Sequence, residues 1–242
     1  MSPMHETARG FAQAAEAYEI GRPDYPAAAL EPLRLAPGMT VLDLAAGTGK
    51  LTRALAASGT TVIAVEPVAE MRACLPSSVR ALDGTAERIP LEDASADLVT
   101  VAQAFHWFDG DAALAEIHRV LRPGGRLALL WNRRIEDAHI NVAIEELVAP
   151  YRSDTPTHSG DAWRAAFDHT TLFGPLDAHV FPNDQVLDED GLAARICSTS
   201  FIACLPELER VGVLVRAREL VADGPATVPY RTEVQVCERR TT

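Results

Sequence analysis

A histidine and three aromatic residues directly follow an apolar run, ADLVTVA, that is typical of a buried strand. They belong to the segment QAFHWFD, residues 103–109. Residues just past the carboxyl end of a strand face the ligand crevice of a parallel α/β sheet, so we expect His106 and Trp107 to lie beside a reacting group. A histidine there could accept a proton from a hydroxyl or amine nucleophile. The alternative is a packing or surface histidine, and Phe105 and Phe108 are predicted to be core.

A second candidate site is the run VLDLAAGTGKLT, residues 41–52, in which a strand pattern leads through a glycine-containing turn into a helix pattern. Small residues let a ligand lie against the backbone, and the first turn of the helix presents unpaired N–H groups. The run matches neither the G-x-x-x-x-G-K-[ST] phosphate loop nor the G-x-G-x-x-G dinucleotide fingerprint. It is therefore predicted to be a ligand loop of neither type, with its small residues at Ala45, Ala46, Gly47 and Gly49.

Acidic residues end the next two predicted strands. Glu66 lies about 20 residues after Gly47, a distance at which a carboxylate can bind both hydroxyls of a ribose. The run DGTAE, residues 83–87, ends the third strand, where backbone and carboxylate could meet an adenine edge. Three strand ends in this order converge on one nucleoside-sized cleft. Taken singly, a tight turn and a solvated strand end would explain the same residues.

Composition limits the classes of partner. The chain has 242 residues, and its 34 acidic against 22 basic residues give a formal net charge of -12. A charge of this sign repels nucleic acid and anionic lipid, so neither is an expected partner. The cysteines and histidines lack metal-ligand spacing, so no metal site is predicted. Because the sequence shows no signal peptide or membrane span, a cytoplasmic location is expected, and the oligomeric state stays open.

From Thr40 onward, short apolar runs alternate with amphipathic segments, which indicates βαβ units and a mainly parallel sheet. We predict strands at 41–45, 61–66, 79–83, 97–102 and 126–131. Helices are predicted between them at 50–58, 68–74 and 111–121, with Asp111 as the N-cap of the last. The later chain is predicted to contain helices at 139–150, 161–169, 188–197 and 206–222 and strands at 177–182 and 227–238. The clean alternation of the final run predicts an antiparallel edge strand.

Five ordered motifs carry a family resemblance. They are VLDLAAGTG, AVEP, DGTAERIPL, DLVTVAQAFHWFD and EIHRVLRPGGRLALLWN. Together they resemble a class I S-adenosylmethionine-dependent methyltransferase of the branch that acts mainly on small molecules, and the resemblance extends from about Tyr18 to Arg133. The resemblance implies a Rossmann-like, doubly wound, mainly parallel seven-stranded sheet with an antiparallel last strand, an N-terminal helical cap and inserted helices. We expect one domain over 1–242, made of a cap (1–37), a cofactor-binding half (38–131) and a substrate wall or lid with the final strands (132–242).

The resemblance also implies the site. S-adenosylmethionine, and its product S-adenosylhomocysteine, would be bound by Tyr18, Arg22, Asp43, Ala45, Gly47, Gly49, Glu66, Pro67, Thr85, Ala86, Glu87 and Gln103. The substrate side would include Tyr25, His106, Trp107, Trp131, Arg133 and Arg134, with His106 as the candidate base. Ala45 departs from the family pattern, which has glycine there, and its methyl group fits if the backbone φ is negative.

The predicted activity is methyl transfer to an oxygen, nitrogen or carboxyl group of a small molecule. A neutral nucleophile needs a proton acceptor, whereas a carboxylate does not. Arg133 and Arg134 could bind such a carboxylate through paired hydrogen bonds, or could be a solvated loop pair. The alternatives are a cofactor-binding regulator without catalysis and an NAD(P)-dependent oxidoreductase, although the glycine spacing and the GTAE run argue against the latter.

Overall fold

The computed structural model describes residues 15–152 and 161–241. The chain divides into two compact units. Unit 1 comprises Met1–Asp24, Asn132–Thr155 and Pro182–Arg231, and unit 2 comprises Tyr25–Trp131, Pro156–Phe181 and Thr232–Thr242. The predicted assignment of a cap, a cofactor-binding half and a substrate wall stays a prediction.

One mixed sheet contains every strand predicted from the alternating pattern. The strands are β1 (Thr40–Leu44), β2 (Thr61–Val65), β3 (Arg80–Leu82), β4 (Ala96–Ala102), β5 (Leu121–Arg134), β6 (Asp177–Leu187) and β7 (Ala226–Glu238). Their order across the sheet is β3-β2-β1-β4-β5-β7-β6. The first five pair in parallel, and the order reverses direction between β1 and β4, which confirms the doubly wound fold. Ligands bind such sheets at the carboxyl ends of these strands.

The last strand is antiparallel, as predicted, but it is not the edge. The N–H of Ile135 donates to the carbonyl of Pro229, and the N–H of Arg239 donates to the carbonyl of Gly125. Residue numbers in β7 therefore fall as those of their partners in β5 rise, as antiparallel pairing requires. β7 lies between β5 and β6, so the predicted edge position of the final run is wrong and β6 occupies it. Alternation of residue type shows which faces a strand buries, whereas its neighbours depend on pairing elsewhere in the chain.

The helices follow the predicted pattern closely. They are α1 (Ala15–Gly21), α2 (Lys50–Ala57), α3 (Ala69–Arg72), α4 (Gly110–Val120), α5 (His139–Val148), α6 (Ala165–His169), α7 (Glu189–Cys197), α8 (Ser200–Ala203) and α9 (Glu207–Glu219). Short 3-10 helices occur at Ala27–Leu33, Phe105–Trp107, Ala149–Tyr151 and Asp161–Arg164. The predicted cap of α4 is wrong by two positions, because the carboxylate of Asp109, not Asp111, accepts the N–H of Ala112. Within the described ranges, no helix is long and apolar enough to cross a membrane.

The core of unit 2 consists of two apolar clusters. Successive residues of a strand belong to different clusters, because their side chains point to opposite faces of the sheet. In β1, Leu42 and Leu44 enter one cluster, which includes the apolar face of α4, while Val41 enters the other, which includes α2. Unit 1 has its own cluster, formed by apolar residues of α5, α7, α9 and β7. Burial on both faces explains why the central strands read as continuous apolar runs.

Candidate cofactor and active site

Glu66 connects the end of β2 to the glycine loop, residues 45–49. One oxygen of its carboxylate accepts the N–H of Gly47 at 2.8 Å, and the other accepts the N–H of Val68 at 2.9 Å. The side chain is buried, and burial raises its pKa, while the two backbone hydrogen bonds and the charge of Arg72 oppose the rise. Each carboxylate oxygen has a second lone-pair direction, so these bonds leave acceptor capacity for ribose hydroxyls.

The glycine loop is built from left-handed residues. Ala45 has φ 56°, Gly47 has φ 57° and Gly49 has φ 92°. The negative φ on which the fit of the Ala45 methyl group depended is therefore not found, and the alanine is held in a region that costs L-residues about 1–2 kcal/mol. A side chain at Gly47 would have the sulfur of Met71 as its nearest neighbour at 4.0 Å, whereas one at Gly49 would come within 2.9 Å of Leu75. A side chain at Gly47 would thus make only an ordinary contact, whereas one at Gly49 would be too close to Leu75, and both positions have the positive φ that favours glycine.

Asp43, near the end of β1, fixes the elements on either side of the glycine loop. Its side chain is 1% exposed, and its two oxygens accept the hydroxyls of Thr52 at 2.6 Å and Thr100 at 2.9 Å. Burial raises its pKa to about 6, although both hydroxyl hydrogen bonds lower it, and the charge of Glu66 adds to the rise. This carboxylate links β1, α2 and β4. The two threonines were not predicted from the sequence, because a hydroxyl bonded to a buried carboxylate carries no local signal.

The segment after β3 reaches the segment after β4. Thr85 and Arg88 exchange backbone hydrogen bonds across a tight turn, and Ala86 between them is buried. The carboxylate of Glu87 accepts the N–H of Asp109 at 3.1 Å. This bond joins the predicted adenine segment to QAFHWFD within unit 2. Pro67, which follows Glu66, is partly buried.

The segment QAFHWFD turns sharply at its first residue. Gln103 has φ 59° and donates its N–H to the carbonyl of Leu130 on β5. The 3-10 helix that follows buries Phe105 in the core, as predicted, with Phe108 packed partly buried against it. His106 and Trp107 are each partly buried, and their ring centroids lie 5.2 Å apart. Both residues therefore belong to the surface of unit 2 at the carboxyl end of β4.

Trp131 and Tyr25 occupy apolar surroundings in unit 2. Trp131 is fully buried, with its ring centroid 4.4 Å from that of Trp163. Its contacts are those of a core residue, so a direct role toward substrate stays a prediction from the sequence. Tyr25 is partly buried against the cluster that contains Leu33.

The remaining predicted residues lie in unit 1. The guanidinium of Arg22 donates from Nε and Nη2 to the hydroxyl and carbonyl of Ser198, both at 2.9 Å, and lies 5.1 Å from the ring centroid of Tyr18. Arg134 donates to Glu145 at 3.1 Å, and Arg133 is partly buried. Ser198 was not predicted, because the residues that surround these arginines come from distant parts of the chain.

The residues of unit 2 fit a nucleoside cofactor. Gly47 has no side chain to cover the loop, Glu66 presents a buried carboxylate beside it, and the run 85–87 continues the same edge of the sheet. In the part of the chain that the structure describes, no group of three or more histidine, cysteine, aspartate or glutamate residues is placed to hold a metal ion. The chemistry that this edge can support is positioning of a bound nucleoside beside the partly buried His106 and Trp107.

Comparison with known proteins decides the family. Residues 42–129 match the family model described as a methyltransferase domain. The chain is 42% identical over 245 residues to an uncharacterized methyltransferase of Mycobacterium tuberculosis (strain H37Rv), covering 96% of this chain and 95% of the relative. The chain belongs to the methyltransferase family. It is a class I S-adenosylmethionine-dependent methyltransferase, so the alternative of an NAD(P)-dependent oxidoreductase is rejected.

Solved structures support the fold of this methyltransferase. A structure from Anaeromyxobacter dehalogenans, named as a type II methyltransferase, has a TM-score of 0.65 at 25% identity and covers 90% of this chain and 96% of its own. A phosphoethanolamine N-methyltransferase of Haemonchus contortus, solved with phosphomonomethylethanolamine and S-adenosylhomocysteine, has a TM-score of 0.54 at 16% identity. That match covers 99% of this chain and 58% of the nematode protein.

The cofactor of the methyltransferase is S-adenosylmethionine, which supplies an activated methyl group on a sulfonium. Glu66 and the glycine loop are the residues suited to hold its nucleoside part, since they combine a carboxylate with open backbone. Asp43 holds the loop through Thr52 and Thr100. The roles of the individual residues toward the cofactor remain predictions.

Proposed function

We propose that the protein transfers the methyl group of S-adenosylmethionine to a small-molecule acceptor, and that His106 accepts a proton when the acceptor is a hydroxyl or an amine. The observation that carries the proposal is the arrangement of four strand ends, those of β1 to β4, within unit 2. Glu66 bonds the glycine loop, and Glu87 bonds the segment that presents His106 and Trp107. The residues proposed to bind the cofactor and the residue proposed as the base therefore follow strands of one sheet at the same edge.

A small acceptor is supported by charge and by the aromatic surroundings of His106. A net charge of -12 disfavours the phosphate backbone of nucleic acid as a substrate. The ring of Trp107 beside His106 offers a flat apolar surface against which a small molecule can be positioned. The N-methyltransferase of Haemonchus contortus, which shares the fold, was solved with a small phosphorylated amine.

Methyl transfer from a sulfonium is an in-line displacement, so the protein must align the nucleophile with the methyl group and exclude bulk water. His106 would take the proton that a hydroxyl or amine loses as it attacks. A carboxylate acceptor carries no such proton, and the histidine would then act in positioning only. We further propose that Gln103 and the run 85–87 contact the cofactor. The proposed location of the protein is the cytoplasm.

Calorimetric titration tests the cofactor part directly. S-adenosylhomocysteine should bind the protein, while NAD should not, because the loop lacks the dinucleotide fingerprint. Transfer is then measured as S-adenosylhomocysteine release with panels of small hydroxyl, amine and carboxylic acid compounds. Tight product binding without turnover on any panel would favour the non-catalytic alternative.

A further inference from the structure

Unit 1 contains three arginines, from distant parts of the chain, whose charges act on one another. Arg22 follows α1, Arg134 ends β5, and Arg195 lies on α7; we call these three residues the arginine cluster. Helices α1 and α7 pack so closely that a side chain at Gly21 would clash with the backbone nitrogen of Arg195. The hydroxyl of Ser198, which accepts from Arg22, donates in turn to the carbonyl of Arg195 at 2.7 Å.

Two side chains of the arginine cluster, those of Arg22 and Arg195, are oriented by neutral partners, while Arg134 pairs with Glu145. Nε of Arg195 donates to the hydroxyl of Tyr230 at 2.7 Å, and the guanidinium lies 6.0 Å from the ring centroid of that tyrosine. Both bonds from the guanidinium of Arg22 go to the buried Ser198. Hydroxyl and carbonyl partners fix a guanidinium in place without neutralising its charge, and they use only some of its five N–H donors.

Positive charge in the arginine cluster is poorly balanced. Burial lowers the pKa of Arg22 to about 10, with the charges of Arg195 and Arg134 acting in the same direction. Burial also lowers the pKa of Arg134, followed by the charge of Arg195, and the opposing carboxylate is Glu145. Glu145 is shared, because it also accepts from Arg152. The three guanidinium groups repel one another, although the protein as a whole has a net charge of -12. A bound anion would reduce that repulsion.

We propose that the arginine cluster is a binding site for a small oxyanion, a carboxylate or a phosphate, held by the guanidinium groups of Arg22, Arg134 and Arg195. Planar guanidinium groups bind both kinds of anion through paired N–H donors. The site lies within unit 1 and includes two residues, Arg195 and Tyr230, that sequence patterns did not indicate. Anion binding does not depend on the proposed function; that the anion belongs to the methyl acceptor does rest on it.

The test is calorimetric titration of the full chain with succinate and with inorganic phosphate, using neutral succinamide as the control ligand. Arg134→Gln is the first variant, because Glu145 keeps Arg152 as a partner when Arg134 is removed. Arg195→Lys is the second, since it keeps the charge and loses the planar fork. Arg218→Gln is the matched control, because this arginine of unit 1 pairs with Asp190 outside the arginine cluster.

We expect the wild type to bind at least one of the two anions and not succinamide. Arg134→Gln and Arg195→Lys should each weaken that binding by about 10- to 100-fold, the loss of one charge-assisted hydrogen bond or pair, while Arg218→Gln should match the wild type. Preference for succinate identifies a carboxylate ligand, and preference for phosphate identifies a phosphorylated one. Melting temperatures confirm that each variant is folded.

The proposal is overturned if neither anion binds a wild-type sample that binds S-adenosylhomocysteine, or if Arg218→Gln weakens binding as much as the cluster variants do. Titration with S-adenosylhomocysteine is made on the same samples. A failure of the cofactor assignment is thereby distinguished from a failure of the anion site. Methyl transfer to succinate and its homologues, measured separately, tests whether the bound anion is the acceptor.

Discussion

The carboxylate of Glu66 accepts a hydrogen bond from the backbone N–H of Gly47 at 2.8 Å, and so joins the end of β2 to the loop that follows β1. A second bond, from the N–H of Ala46 to the carbonyl of Val65, reinforces the same junction at 3.1 Å. The residue expected to hold a ribose thus also shapes the loop over which the cofactor would lie. Its loss should affect binding and local stability together.

Glu66→Ala should weaken S-adenosylhomocysteine binding by about 2–4 kcal/mol, because the carboxylate that accepts hydrogen bonds from two ribose hydroxyls is lost. It should also lower the melting temperature, since the N–H groups of Gly47 and Val68 lose their acceptor. Glu66→Gln retains one acceptor oxygen and should fall between the wild type and alanine in both measurements. Titration and thermal melting are made on the same samples. Unchanged affinity in both variants would contradict the assignment of this strand end to the cofactor.

Asp43 should make the fold less stable as the pH rises from about 4 to 6. Its pKa is about 6 in the folded protein against 3.8 as the ordinary value, so the folded state binds more protons than the unfolded state in this window. The free energy of unfolding therefore falls with rising pH, by about 3 kcal/mol for this group. Asp43→Asn, with an amide in place of the carboxylate, should flatten that slope in urea unfolding measured between pH 4 and 7.

Asp97 provides a control of opposite sign. Burial acts to raise its pKa, but hydrogen bonds from Arg122 and from the N–H of Thr40 outweigh burial and lower it. Its contribution to stability is therefore present above the unfolded pKa and is lost as the pH falls through the folded one. Asp97→Asn should destabilise the protein at pH 6 and leave the downward slope between pH 4 and 6 in place. If both variants change the pH profile alike, the burial of Asp43 does not explain the slope.

Ala45→Gly should stabilise the protein. Ala45 has φ 56°, where an L-residue is strained by about 1–2 kcal/mol, while glycine loses roughly 0.5–1 kcal/mol more conformational freedom on folding. The net gain of up to about 1.5 kcal/mol should raise the melting temperature by up to roughly 3–6 °C. Ala46→Gly is the matched control, because Ala46 does not have a positive φ and should only lose stability. A lower melting temperature for Ala45→Gly than for the wild type would show that the alanine is not strained.

Ala45 also shows where sequence reasoning about the site stopped. The small residues of the loop were evident, but the sign of a backbone angle depends on how β1, β2 and α2 close around it. Similarly, the wrong cap of α4 came from two aspartates, Asp109 and Asp111, that are equally suitable by residue type. Local sequence patterns identify secondary-structure elements and candidate ligand residues. Which of two adjacent candidates takes the role depends on the tertiary structure around them.

Contacts between residues far apart in the chain were the second feature that the sequence did not predict. The parallel strands follow from their apolar runs, and Glu66 from its distance to the glycine loop. By contrast, Arg195 lies 60 residues or more from the other members of the arginine cluster, in a helix whose sequence gives no sign of function. The insertion of β7 between β5 and β6 is of the same kind, since it depends on strand pairing across most of the chain. Such neighbours become visible only once the fold is known.

The last prediction concerns His106, and Phe105 provides its control. Both lie in the same 3-10 helix, but Phe105 is 1% exposed while His106 is partly buried beside Trp107. Phe105→Ala should therefore cost about 3–5 kcal/mol of stability through the cavity it leaves. His106→Ala should melt near the wild-type temperature and bind S-adenosylhomocysteine with unchanged affinity, because the residue is only partly buried.

The kinetics of His106→Ala then separate a base from a positioning residue. A general base for a hydroxyl or amine acceptor predicts a kcat lower by about 10²–10⁴, and a wild-type rate that rises with pH through an imidazole-like pKa that the variant lacks. A positioning role predicts a higher KM with kcat and its pH profile retained. A carboxylate acceptor, which has no proton to lose, predicts the second result. We expect one of these two, because the residue follows β4 on the edge that carries Glu66 and Glu87; full activity with normal KM would place His106 outside the site and reduce QAFHWFD to packing.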